Sequence, residues 1–394
     1  MFPGMEWKTV PCRSANLRQR QTRPMYRNLP YPGLRDFLRT LFAAYGFEPG
    51  DAEAVADAIL RADLYGIESH GVQRLIRYHK AIAETKTVRV DARPETVFET
   101  PISAVVDARD AMGQLAALHA MRLAVAKAKT SGLGMVAMRA SNHFGIAGHY
   151  TRMAVEQDLL GVSMTNSEPI LVPTFARQAM IGSNPIALGM PADPVPFLFD
   201  AATCVVPRGK LEVYAKRGEP LPEGWAIDET GAVCTDPRRV LDAILGRRGG
   251  GILPLGGAGE RFSGHKGYGF GLICDLFTAG FSGGPFSNHK KDDPKKANTS
   301  HFFMAMDYGL FGDKAEVRRR FSAFLAELRA TPHAEGQPRV WIHGEKELES
   351  ETRRRTEGIP VNEKTFAELH SIARAAGLDP LRWLPPRFDA PAAT

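Results

Sequence analysis

Two short stretches hold the side chains with which this sequence could do chemistry. One is Ser69-His70-Gly71 with Arg74 close behind; the other is Ser141-Asn142-His143-Phe144-Gly145, with His149 just after it. An imidazole exchanges protons near neutral pH, and a guanidinium grips a carboxylate through paired hydrogen bonds. Residues four apart share a helix face. His70 and Arg74 therefore suit an acid carrying a hydroxyl or carbonyl beside its carboxylate. Ser69 is a natural N-cap, which would set His70 in a first helical turn, where the dipole lowers an imidazole pKa. The plainer reading is a structural cap followed by an exposed arginine.

The second stretch admits three readings. As metal ligands, His143 and His149 would point roughly 240° apart around a helix. No HExxH or carboxylate cluster accompanies them, so no metal site is expected. His149 reads as a half-exposed structural residue. His143 lies in a turn bounded by Asn142 and Gly145 and reads as functional, since loops at strand ends carry function. Its bland alternative is an imidazole bonded to backbone.

Positioning these residues calls for particular elements. Leu34, Phe37, Leu38, Leu41, Phe42 and Tyr45 form one helical stripe that Gly46 stops. Asp51 reads as the cap of a second helix, and Val72, Leu75, Ile76 and Ile82 mark a third. A helix over 114–130 precedes a buried strand, Met135–Met138. The turn at His143, a helix carrying Ile146 to Ala154 and a strand Gly161–Met164 follow, a βαβ crossover. His143 then stands at a strand's carboxyl end, where ligands collect in α/β sheets. Phe197 to Asp200 ends a short strand, residues 249–271 are glycine-rich before an apolar helix Leu272–Ala279, and His289–Lys296 reads as a solvated surface loop. Thr365 could cap a final helix that Gly377 ends.

A chain of 394 residues, 44% hydrophobic and 24% charged, has room for two soluble cores. No apolar run approaches the ~20 residues of a membrane span. The four cysteines lack paired spacing, which suits a reducing cytoplasm. Of 50 basic and 44 acidic residues, six and one fall within 1–28, leaving 44 against 43 beyond. A nearly neutral body with a short basic arm, expected to be disordered, excludes a nucleic-acid footprint. The runs Gly256-Gly257-Ala258-Gly259 and Gly267-Tyr268-Gly269-Phe270-Gly271 match neither GxGxxG nor the P-loop, since Lys266 is followed by Gly267. Glycines flanking a lysine can still bring backbone close to phosphate.

Eight ordered stretches together resemble the type-2 malate/L-lactate dehydrogenases. They are ADLYGIESHGVQRLIRY (62–78), SNHFGIAGHY (141–150), TNSEPILVPTF (165–175), IGSNPIALGMP (181–191), FDAATCVVPRGK (199–210), LPEGWAIDETGAVCTDP (221–237), LPLGGAGERFSGHKGYGFGL (253–272) and HGEKELESETRRRTEGIPV (343–361). The resemblance implies an α/β, non-Rossmann NAD(P)-binding fold with a helical domain built from N- and C-terminal segments. That gives 1–28 as the extension, 29–84 with 361–388 as the helical domain carrying the Ser-His-Gly motif, and 85–360 as the α/β cofactor-binding region. It implies an oxidoreductase acting on CH–OH donors, a homodimer, moving hydride between NAD or NADP and a small 2-hydroxy or 2-oxo acid. Relatives include ureidoglycolate, sulfolactate and 2,3-diketogulonate oxidoreductases and Δ1-piperideine-2-carboxylate reductase. An imine-acid reductase and a non-catalytic cofactor-binding relative are therefore the alternatives.

By the same resemblance, Ser69, His70, His143 and Asp200 are catalytic, with His70 and His143 both open as the proton donor. Arg74 and Thr165 bind substrate. Ser167, Asp200, Ala201, Ala202, Lys266, Gly344, Glu345 and Lys346 bind cofactor. The pattern departs at Ser183, at His149 and His265 (aromatics in the family), and at Ala176-Arg177, where the family often has two glycines.

Overall fold

The computed structural model describes residues 26–293 and 295–389. The chain opens with β1 (Tyr26–Leu29), α1 (Tyr31–Ala44), α2 (Pro49–Leu64) and α3 (Leu75–His79). Then come β2 (Glu95–Glu99), β3 (Ser103–Asp107), α4 (Gly113–Ser131), β4 (Leu133–Ser141), α5 (Ala147–Val155) and β5 (Leu160–Thr165). β6 (Ile186–Met190), β7 (Phe197–Ala201), α6 (Arg208–Arg217), β8 (Ala226–Ile227), α7 (Pro237–Gly246) and β9 (Gly251–Ile252) follow. The last part holds α8 (Gly264–Asp275), β10 (Thr299–Met306), α9 (Lys314–Ala330), α10 (Glu345–Glu357), β11 (Ile359–Asn362) and α11 (Glu363–Ala375).

Apolar residues at helical spacing set the first body. Leu34, Phe37, Leu38, Leu41 and Phe42 all face inward from α1. They pack with α2, α3 and α11 into one core that joins Leu29–Val88 to Ile359–Leu384. Burying each such side chain contributes about 1.5–3 kcal/mol. Strands β1 and β11 pair antiparallel, from Tyr26 against Asn362 to Leu29 against Ile359, and tie the two chain segments together. The stretch 1–28 expected to be disordered thus ends in a strand at Tyr26; the rest of it lies outside the described residues. Two caps also differ from expectation. Asp51 sits inside the first turn of α2, which begins after Glu48. In α11 the cap is Asn362, whose side chain accepts from the Thr365 N–H at 2.9 Å.

The second body is a seven-stranded mixed sheet in the order β2-β3-β4-β10-β5-β6-β7. Only β3 and β4 pair parallel; the other neighbours are antiparallel. β4 and β5 do run the same way, as the crossover through α5 requires, but β10 lies between them. That insertion positions the site. Because β10 runs opposite, its beginning lies beside the ends of both neighbours: Thr299 stands against Ser141, and His301 against Thr165. α4 and α5 cover one face around Ala120, Met138, Tyr150 and Phe303. Cys274 and the turn after α8 cover the other, against Val162 and Phe302.

Candidate active site

The segment Glu68–Arg74 that carries the first motif is made of two 3-10 turns, Glu68–His70 and Val72–Arg74. Ser69 caps no helix, contrary to its reading from sequence; its hydroxyl bonds to His70 Nδ1 at 2.9 Å. What holds the segment is Asp63 of α2, fully buried, whose Oδ2 accepts from the Val72 N–H at 2.8 Å. A Cβ at Gly71 would stand 2.0 Å from Asp63 Oδ1, so only glycine fits there. Burial lifts the Asp63 pKa to about 7, against the lowering pull of Val72 N–H and Arg354. From α10, Arg354 donates to the Asp63 carbonyl at 2.7 Å and reaches Glu68 at 3.4 Å. Arg74 is braced by its own chain, Nε donating to Ser69 O at 2.5 Å.

The second motif is anchored by Asn142. Its Nδ2 lies 3.0–3.1 Å from the carbonyls of Thr87, Asp110 and Ala111. Its backbone, with that of His143, runs so near Gly113 that a Cβ there would come within 2.4 Å. His143 is gripped from behind: Tyr78 OH lies 2.8 Å from Nδ1, and Gly145 N–H donates to the same nitrogen at 3.3 Å. Nδ1 therefore accepts, and the ring proton of neutral His143 sits on Nε2. Beyond the turn, Phe144 stacks on His301 with centroids 4.5 Å apart. His301 Nδ1 bonds Thr165 Oγ1 at 2.8 Å and its Nε2 bonds Ser141 Oγ at 2.9 Å. One buried imidazole thus links the ends of β4 and β5.

His70, Arg74, His143, Thr165 and Ser167 line a single cavity of about 830 Å³. The two histidine rings face each other at 5.6 Å. Both imidazoles are held neutral. Burial first, then Arg74 and Arg77, lower the His70 pKa to about 4. Burial, Arg77, His70 and Arg74 hold His143 well below the ordinary histidine range. The direction for His70 is the expected one, but its cause is burial among guanidinia rather than a helix dipole. Among the described residues, seven lysines and arginines line the cavity against Glu168 and Asp293, a surplus of positive charge that attracts anions.

The remaining sequence candidates stand elsewhere. Asp200, on β7, does not line the cavity and does not bond the Ser69–His70 pair; its Oδ2 accepts from Gly148 N–H at 2.7 Å, at the start of α5. Surrounding protein raises its pKa to about 6, with Glu347 adding to the effect and the Gly148 bond opposing it. Ala201, Ala202, Lys266, Gly344, Glu345 and Lys346 also lie outside the cavity lining. Glu345 is engaged structurally, in an ion pair with Arg329 at 2.5 Å and as acceptor for Ile342 N–H at 3.1 Å. Lys346 stacks its ammonium over Trp341 at 5.1 Å. His149 is partly buried, against Tyr150.

Sequence reasoning missed Tyr78, Arg77, Asn166 and Lys290, all of which line the cavity. The expected surface loop His289–Lys296 is in part cavity wall, and Lys290 within it is buried. Tyr78 was legible in principle, four residues past Arg74 on one face. Nothing local marked Lys290.

A helical body docked on a mixed sheet, with a two-histidine, cation-rich cavity between them, defines the architecture of this α/β protein. The sequence profile of the malate/L-lactate dehydrogenases matches residues 29–370. The chain belongs to that family. It is 43% identical to the malate dehydrogenase of Pyrococcus abyssi over 355 residues, 90% of this chain and 96% of that one. It is 33% identical to the malate/(S)-sulfolactate dehydrogenase of Methanothermus fervidus, covering 89% and 98%. Among solved structures, the malate dehydrogenase of Entamoeba histolytica superposes with a TM-score of 0.86 at 30% identity, covering 90% and 99%.

Proposed function

We propose that the protein is an NAD(P)-dependent oxidoreductase that interconverts a small 2-hydroxy acid and its 2-oxo acid, malate-like in carrying a second acid group. One observation carries this reading: two mutually facing imidazoles and the Arg74 guanidinium share one cavity. Family membership supports the redox class, and the surplus of cations supports a substrate with more than one negative charge.

In this reading Arg74 holds the substrate carboxylate. His143, its ring proton on Nε2, donates a hydrogen bond to the substrate oxygen. His70 exchanges the proton, because Ser69 Oγ can donate to or accept from its Nδ1 and so serves either tautomer. A second proton on His143 Nδ1 would face the Gly145 N–H, which disfavours His143 as the acid. Thr165, fixed by His301, borders the substrate.

The residues present suit a nicotinamide dinucleotide. Gly256, Gly257 and Gly259 adopt positive φ just before α8, whose first turn exposes His265 and Lys266. A helix N-terminus with a nearby ammonium suits a pyrophosphate. Asp200, Ala201 and Ala202 run along and beyond edge strand β7, and Gly344 packs on that strand, where a Cβ would meet Leu198 at 3.0 Å. Ser167 borders the cavity beside Ser183. When bound, the nicotinamide supplies or accepts the hydride at the carbon bearing the substrate oxygen.

The same reading takes 29–84 with 361–388 as the substrate-motif domain and 85–360 as the cofactor domain, working in the cytoplasm as a homodimer. Phe270, Ile273 and Leu276 on and after α8, with Phe281, are 43–50% exposed and uncovered among the described residues, a face that a second copy would bury. No helix among the described residues is long and apolar enough to cross a membrane.

The deciding experiment follows loss of NADH or NADPH absorbance with a panel of 2-oxo acids, dicarboxylic members and cyclic imine acids included. Fastest turnover on a 2-oxo diacid is expected. Turnover on imine acids alone would make the protein an imine reductase, and cofactor binding without turnover would make it a non-catalytic relative.

A further inference from the structure

Among the described residues that line the cavity, Lys290 is the one buried cation, at 4% exposure, and the chemistry above gives it no task. It follows the turn Ser287–His289. Its Nζ donates to Thr299 Oγ1 at 2.9 Å, to Asn298 O at 3.1 Å and to Asn166 Oδ1 at 3.3 Å. Three acceptors match the three N–H bonds of an ammonium. Thr299 opens β10 and Asn166 follows β5, so this one group pins two strand ends that border the site. Asn166 is held further by Ser300 N–H at 2.9 Å and by its own donation to Pro285 O at 3.0 Å.

Among the described residues, no carboxylate bonds to Lys290 directly. Glu168 pairs instead with Lys291 at 3.2 Å and with Arg208 at 3.9 Å. A desolvated ammonium without a bonded counter-ion is held at a cost that an arriving anion lowers.

We propose that Lys290 is a positioning and charge-selecting residue of the acid site, fixing Asn166 and Thr299 in the wall while its positive charge favours an anionic substrate. This rests on the reading that the acid occupies this cavity. The charge is conditional on pH: burial, followed by the opposing attraction of Glu168 and the repulsion of Arg77, brings the Lys290 pKa down to about 7. The groups facing it are Lys291 and Asp293 on its own loop, Glu168 after β5, Arg77 from α3, Asp275 from α8 and His301 in β10. His301 is neutral there, its pKa lowered to about 3. Acid affinity should then fall as the amine loses its proton, independently of the histidines, which titrate far lower.

The test measures inhibition by oxalate, an unreactive dianion over this range, from pH 6 to 8.5 against wild type, Lys290→Gln, Lys290→Arg and Arg74→Lys. In wild type the inhibition constant should rise roughly tenfold across the range. Lys290→Gln should hold it high and flat, and Lys290→Arg low and flat. The two variants move in opposite directions, so either one that folds, checked by circular dichroism, decides the matter. A merely structural strut would leave the pH profile of wild type intact in both, and that outcome overturns the proposal. If Arg74→Lys leaves the constant unchanged while Lys290→Gln flattens it, the Arg74 assignment fails and Lys290 stands.

Discussion

His70 and His143 face each other with ring centroids 5.6 Å apart and planes 23° apart, yet their inner nitrogens are held differently. His70 Nδ1 meets a hydroxyl that can turn either way, at 2.9 Å. His143 Nδ1 meets a backbone N–H that cannot turn, at 3.3 Å. In the proposed mechanism, that asymmetry assigns proton exchange to His70 and hydrogen-bond donation to His143, both neutral at rest.

A pH dependence follows from the lowered His70 pKa of about 4. In the proposed mechanism, reduction of the 2-oxo acid needs the imidazolium, whose population falls tenfold per unit above that pKa. Hydroxy-acid oxidation needs the neutral ring, present throughout. Reduction kcat/KM should therefore decline from pH 5 upward while the histidine contribution to oxidation stays level. Parallel profiles in both directions would sink the histidine acid.

Arg74→Lys keeps a charge but loses the two-pronged grip on a carboxylate. KM for the 2-oxo acid should rise, with a loss of about 2 kcal/mol, roughly thirtyfold in kcat/KM. Cofactor affinity, read by fluorescence titration, should hardly change. The opposite pattern would move Arg74 into the cofactor site.

Two glycines should respond unequally to alanine. At Gly209 the added Cβ would sit 3.2 Å from Arg74 Nη2, the free end of a long side chain that can shift. Gly209→Ala should fold normally and raise KM about three- to tenfold, a cost of roughly 1 kcal/mol. At Gly71 the Cβ would stand 2.0 Å from the enclosed Asp63 carboxylate. Gly71→Ala should lower the melting temperature and abolish turnover, and a wild-type melt would contradict the Asp63 clamp.

His301 makes a stability prediction. Its pKa in the fold, about 3, lies below its ordinary 6.5. The neutral ring's contribution is complete above pH 6.5 and is lost as pH falls toward the folded value. At pH 5 wild type should have lost about 2 kcal/mol through this residue. His301→Gln should be destabilised at pH 7, losing the bridge between Thr165 and Ser141, but about 2 kcal/mol less so at pH 5. Urea unfolding at the two pH values reads the difference; an equal gap at both would mean that His301 does not titrate on unfolding.

Much of this was written locally. The α1 stripe from Leu34 to Phe42, the helix before His143 and the strands around Met138 and Val162 follow from periodicity, because a helix or strand buries one face at a fixed spacing. Glycines at Gly71 and Gly145 marked the two motifs, since each sits where a side chain would collide or a positive φ is needed. The resemblance to a family supplied the roles and the class.

Only the tertiary structure decided the rest. Lys290, read as solvated, is buried because β10 runs antiparallel between β4 and β5 and brings the loop before it to their carboxyl ends. Thr165 and His301, in contact at 2.8 Å, are 136 residues apart in the chain. The lowered pKa of His70 likewise comes from burial among Arg74 and Arg77, not from a turn that Ser69 caps. A local pattern records which face of an element avoids water. Which strand fills the gap between two others depends on the burial of whole faces at once, and that information is spread over the chain.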